Sequence, residues 1–229
     1  MFLPLHDGVP LRHLTRPYVT YGLIGLNAAA FLIVWSGLVG EANRIDTSLG
    51  VIPAVVWGKA ELAAHLSIVP TYVTFLTGMF LHGGFSHLIG NMLFLWVFGD
   101  NVEDAMGHAR FAVFYLACGF AGALAFALSN PETQAPLIGA SGAVSGVVVA
   151  YLMLYPRVTV FGLVFNWLPI SIKALYCIGA WILLQIGAAL FSSDAQVGWW
   201  AHVGGMIAAL VLTPALKRRE AALFDPRTS

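Results

Sequence analysis

Four polar side chains, His87, Asn91, Ser141 and His202, stand in otherwise apolar stretches of the sequence. A polar group in such surroundings is costly unless it pairs with another or serves a function. A serine hydroxyl is a weak nucleophile at neutral pH and attacks only with a base in hydrogen-bond reach, so Ser141 and His202 make a candidate catalytic pair of nucleophile and general base. His87 and Asn91 stand at i and i+4, on one face of a helix, and their N–H groups are of the kind that stabilise an oxyanion. No acidic residue neighbours Ser141 or His202, and Asp194 is only a loop candidate. The expectation is a dyad, with no carboxylate orienting the base.

Each of these groups has a blander reading. Gly139-Ala140-Ser141-Gly142, followed by Ser145 and Gly146, is also a small-residue face that lets membrane helices pack closely, and taken alone that is the stronger reading. His202 or Asn91 by itself is an interhelical hydrogen-bonding group. His82, five residues before His87, does not make HExxH and has no carboxylate beside it, so no metal is expected, and no cofactor either. Asp100, Glu103 and Asp104 read as a solvated cytoplasmic helix end with no catalytic role.

The elements that must position these groups follow from composition. Of 229 residues, 59% are hydrophobic and 10% charged, against about 25% charged in a soluble domain. That excludes a soluble globule and points to an all-α polytopic membrane protein. Six apolar segments are candidate helices: Tyr18 to Gly40, Phe85 to Val102, Arg110 to Leu128, Ser141 to Tyr155, Pro169 to Phe191 and Gly198 to Leu216. The first connection, Glu41 to Gly84, is long, and its Val51 to Leu66 stretch suits the membrane interface. Net charge is zero with no long basic stretch, so nucleic acid is not a partner and the lipid bilayer is. Cys118 and Cys177 have no CxxC or metal spacing and read as small apolar residues.

With the N-terminus inside, most Lys and Arg residues are cytoplasmic and only Arg44 and Lys59 lie outside, which fits the positive-inside rule with both termini cytoplasmic. Residues 1–17 form a cytoplasmic segment without a signal-peptide pattern, 18–216 the membrane domain and 217–229 a cytoplasmic tail. In this orientation His87, Asn91, Ser141 and His202 all fall toward the outer side. The segment from Ser141 to Tyr155, about 22 Å long at 1.5 Å per residue, is shorter than a core of roughly 30 Å. Pro156 and Arg157 fix its inner end, so Ser141 should start below the outer surface, beside a loop that dips into the membrane. Such a loop is tolerated at depth where protein buries it or water fills a cavity.

These residues resemble the rhomboid intramembrane proteases. The resemblance runs from about Thr74 to Leu216: Met79 to Gly84, the HxxxN of His87 and Asn91, Phe98 to Asp104, the GxSG of Gly139 to Gly142, and Ala201-His202 with Gly205 and Ala209. It implies a six-helix core, a serine nucleophile (Ser141) paired with a histidine on the last span (His202), and oxyanion support from His87 and Asn91. It also implies that transmembrane segments of other proteins are the substrates, entering laterally, and that the long first loop is membrane-embedded. Without a seventh span the chain resembles the basic prokaryotic form, which implies a plasma (inner) membrane setting. Three departures stand out. Ser145 occupies the position where members often carry an aromatic beneath the histidine, Val73 and Thr74 stand near the place of a tryptophan-arginine pair, and Ala209 replaces a second glycine. Two alternatives compete: a non-proteolytic rhomboid-like protein that binds membrane helices, and a small transporter using His82, His87 and His202. The second lacks repeat symmetry and intramembrane carboxylates.

Overall fold

The structure, a computed structural model, describes residues 2–164, 167–192 and 197–224. The chain is mostly helical. After strand β1 (Phe2–His6) comes α1 (Tyr18–Trp35), then three short helices in the long first connection: α2 (Ala42–Leu49), α3 (Pro53–Val56) and α4 (Thr74–Thr77). Four long helices, α5 (Phe85–Met106), α6 (His108–Ser129), α8 (Ala174–Phe191) and α9 (Trp199–Leu216), pack with the shorter α7 (Ser141–Leu154). Helices α1, α6, α8 and α9 are long and apolar enough to cross a membrane. The α7 helix is apolar but spans 14 residues, and α5 carries Asp100, Glu103 and Asp104 in its last turns.

Two predicted spans are shorter than the apolar pattern suggests. Tyr18 to Gly40 is helical only to Trp35, and Gly37 and Gly40 both take positive φ beyond it. Pro169 to Lys173 belongs to a strand, not to the helix that follows. The antiparallel sheet has the order β1-β2-β3, where β2 is Thr159–Val164 and β3 is Leu168–Lys173. Phe2 pairs with Val164 and Thr159 with Lys173. Lys173 then caps α8 in an extended conformation. An apolar run does not by itself separate a strand from the start of a helix.

Glu103 and Asp104 correct the expectation of a solvated helix end. Glu103 and Asp104 are fully buried, and their carboxylates serve the backbone of the N-terminal segment. Asp104 accepts from the backbone N–H groups of Arg12, His13 and Leu14 at 2.6 to 2.9 Å. Glu103 accepts from Val19 and Thr20 N–H at 3.0 and 2.7 Å, and from the Thr20 hydroxyl at 2.6 Å. The residue before α1 is Pro17, which has no side-chain acceptor. The first N–H groups of a helix are otherwise unpaired, and a carboxylate there also meets the positive end of the helix dipole.

Gly107, at φ +87°, turns the chain directly from α5 into α6. Arg218, just past α9, binds the freed carbonyls: its N–H donates to Ala105 O at 2.7 Å and its Nε–H to Asp104 O at 3.2 Å. The sheet, the start of α1 and the ends of α5, α7 and α9 thus share one end of the bundle. The start of α5, α7 and α9 lies at the other. The core between α5, α6 and α7 is closed by the fully buried rings of Phe98, Phe111, Phe114, Tyr115 and Tyr151.

Candidate functional site

Ser141 is the first residue of α7, His202 lies in the first turn of α9, and His87 lies in the first turn of α5 with Asn91 one turn on. All four are therefore at the end of the bundle opposite the sheet. Ser141 and His202 are brought together, with Oγ and Nε2 2.9 Å apart. The approach depends on bare backbone. A Cβ at Gly205 of α9 would fall 1.9 Å from Gly142 O of α7, and one at Gly122 of α6 would fall 2.5 Å from Ala201 O. Small residues at helix crossings allow such spacing. Ala209, one turn after Gly205, is fully buried on the same helix.

The loop before α7 is held on both sides. Val51 and Leu137 exchange backbone hydrogen bonds at 3.0 and 2.8 Å, Thr133 O accepts from Ala54 N–H at 3.0 Å, and Gly139 N–H donates to Gly78 O at 2.9 Å. Irregular backbone inside an apolar protein requires this kind of pairing. Gly139 has φ +119°, a conformation that residues with a side chain rarely adopt, and a Cβ there would also strike the His87 ring at 2.7 Å. The Asn91 amide lies 3.9 Å from the same point. His87 and Asn91 thus face the backbone just before Ser141. Asn91 Nδ2 is buried with no hydrogen-bond partner among the described residues. An unpaired buried donor is unusual in a folded chain, and this one lies beside the Gly139 backbone, two residues before Ser141. His82 packs edge-on against His87, with ring centroids 5.0 Å apart. Its two ring nitrogens are likewise buried and unpaired among the described residues.

A cavity of about 20 Å³ abuts Ser141, between Met79, Gly119, Leu137 and Ala201. That is room for about one water molecule.

The Ser145 hydroxyl is engaged along its own helix and not with the histidine: it donates to Ser141 O at 2.7 Å. His202 is instead met edge-on by Trp199, at a centroid distance of 5.8 Å and 87° between planes. Its Nδ1 lies 2.7 Å from Gln185 Oε1 on α8. Gln185 is not among the four polar groups singled out from the sequence, although an amide between Leu184 and Ile186 carries the same signal as Asn91: a polar group in an apolar run. Asp194 lies outside the described residues. Groups of three or more potential metal ligands do not occur among the described residues.

A model of the rhomboid domain matches residues 70–219. The chain is 32% identical over 212 residues to the rhomboid protease GluP of Bacillus subtilis, covering 93% of this chain and 37% of that protein. It is 29% identical over 183 residues to Rhomboid protein 1, mitochondrial, of Saccharomyces cerevisiae, covering 71% of this chain and 50% of that one. The chain therefore spans half or less of the length of these two relatives.

Proposed function

Since the chain belongs to the rhomboid family and is an integral membrane protein, we propose that it is an intramembrane serine endopeptidase. Its substrates are transmembrane segments of other membrane proteins, in or near which it hydrolyses peptide bonds, and Ser141 and His202 act as a dyad. The observation that carries this reading is the 2.9 Å separation of Ser141 Oγ and His202 Nε2, within the reach a general base needs.

In this mechanism Ser141 Oγ attacks the substrate carbonyl carbon while its proton passes to His202 Nε2. The carbonyl oxygen becomes an oxyanion near the start of α7, where unpaired backbone N–H groups and the positive end of the helix dipole favour negative charge. Asn91 Nδ2–H and the His87 ring donate to the same oxyanion. His202 then returns the proton to the leaving amine, an acyl-enzyme remains on Ser141, and a water activated by His202 releases it.

The six helices α1, α5, α6, α7, α8 and α9 are read as six spans, with residues 1–17 and 217–229 as flanking cytoplasmic segments. The basic residues support this orientation: Arg12, Arg16, Arg110, Arg157, Lys173 and Arg218 cluster at the sheet end, which the positive-inside rule assigns to the cytoplasm of a prokaryotic cell. The short α7, about 21 Å at 1.5 Å per residue, supports a nucleophile below the opposite surface.

Ser141→Ala should abolish cleavage of single-span membrane proteins in proteoliposomes, with products mapped by mass spectrometry, while the thermal unfolding midpoint stays within a few degrees. Retained cleavage in that variant, with Ser145→Ala inactive, would transfer the nucleophile to Ser145. A wild-type chain that neither cleaves any of a set of single-span membrane proteins nor reacts with a fluorophosphonate would favour the helix-binding alternative.

A further inference from the structure

We propose that Gln185 is a positioning residue that fixes the tautomer and direction of His202, an inference that rests on the dyad reading above. Gln185 Oε1 carries only lone pairs, so its 2.7 Å contact with Nδ1 requires the ring proton on Nδ1. The proton-free nitrogen is then Nε2, which faces Ser141 Oγ at 2.9 Å. A single tautomer satisfies both contacts and is the one that accepts a proton from serine. The reversed amide would donate to Nδ1, leave the proton on Nε2 and disable the base.

The surroundings leave this task to Gln185. Ser145 is turned away toward Ser141 O, and Trp199 offers the ring an edge contact with no acceptor. Beyond Ile178, Gln185 is the only buried residue of α8, in a helix whose remaining side chains are largely apolar and exposed. An amide in such a helix is unfavourable without a partner. Ile182 and Ile186, near Gln185 in sequence, line a cavity of about 570 Å³ together with Leu152 of α7 and Met206 and Ile207 of α9. The hydrogen bond to His202 is a directed polar link between α8 and α9.

The test uses the full chain, purified in detergent and labelled with ¹⁵N-histidine, as wild type, Gln185→Met and Gln185→Glu. Methionine keeps the length without a comparable acceptor; glutamate keeps the acceptor. The expected result for Gln185→Met is a fall in kcat of about 10- to 100-fold, the loss associated with one orienting hydrogen bond, with KM within about twofold. The His202 ring nitrogens should lose the Nδ1–H pattern seen in the wild type, and Gln185→Glu should regain both that pattern and part of kcat. A Gln185→Met protein with wild-type kcat and an unchanged Nδ1–H signal would overturn the proposal. So would a loss of activity that tracks a lower unfolding midpoint while the tautomer stays unchanged. The nitrogen spectrum does not require turnover, so it reads the Gln185 contact even if Ser141→Ala shows that the dyad reading fails.

Discussion

At the scale of single residues, the candidate site is a set of donors and acceptors that point at one small volume. Asn91 Nδ2 is buried and unpaired among the described residues, as a donor kept for the oxyanion of the proposed mechanism would be. A donor used only when charge develops acts on kcat rather than on binding. Asn91→Ala and His87→Ala should each lower kcat by about 10²- to 10³-fold, as removal of one oxyanion donor does elsewhere, with KM changed less than threefold. Steady-state kinetics on a cleaved single-span substrate would decide, and a pure KM effect would make the pair substrate contacts instead. Ser141, His202, His87 and Asn91 were legible because each is a polar residue in an apolar run at the same end of its helix. Gln185 carries the same signal, but its partner depends on how α8 leans against α9, which no spacing in the sequence records.

At the scale of elements, the contact between α7 and α9 places the hydroxyl beside the imidazole. It is made of glycine backbone, and the two sides are unequal. A Cβ at Gly205 would stand 1.9 Å from Gly142 O, whereas one at Gly142 would stand 3.2 Å from Ala201 O. Gly205→Ala should therefore destabilise more than Gly142→Ala, by roughly 1 to 3 kcal/mol or more for an overpacked site. It should also abolish cleavage by driving the helices apart. Thermal unfolding of both variants in detergent checks the order. The small-residue spacing that allows this crossing was visible in the sequence. The sheet was not: Pro169 to Lys173 is apolar enough to extend a span, and only pairing with Thr159–Val164 makes it a strand. Glu103 and Asp104 misled for a related reason. Three acidic residues at a helix end look solvated until the backbone of residues 12–20, some 80 to 90 positions away, arrives to be capped.

At the scale of the whole molecule, the N-terminal segment is a structural member that ties α5, α7 and the sheet together. Asp7 Oδ2 accepts from Tyr151 OH at 2.7 Å and from Asn101 Nδ2–H at 2.9 Å. Burial raises its pKa above the ordinary carboxylate range. A carboxyl whose native pKa is raised binds its proton more tightly folded than unfolded, so its contribution is largest at low pH and is lost as pH rises through the native pKa. Asp7→Asn cannot ionise. Relative to that variant, the wild type should lose stability as pH rises from about 4, the ordinary carboxylate value, through the raised native pKa of Asp7. Unfolding midpoints of the two proteins across that range measure the difference, and parallel curves would remove Asp7 from the account.

The pairing of Phe2 with Val164 sets a timetable for synthesis. Translation adds roughly 5 to 20 residues per second, so the partner of the first strand leaves the ribosome on the order of 10 to 30 s after the strand itself. Asp104, the acceptor for the backbone N–H groups of residues 12–14, emerges earlier. The leading segment is thus secured in two stages, first to the end of α5 and then along the edge of β2. A nascent chain halted before Thr159 would hold its leading segment by the first anchor alone.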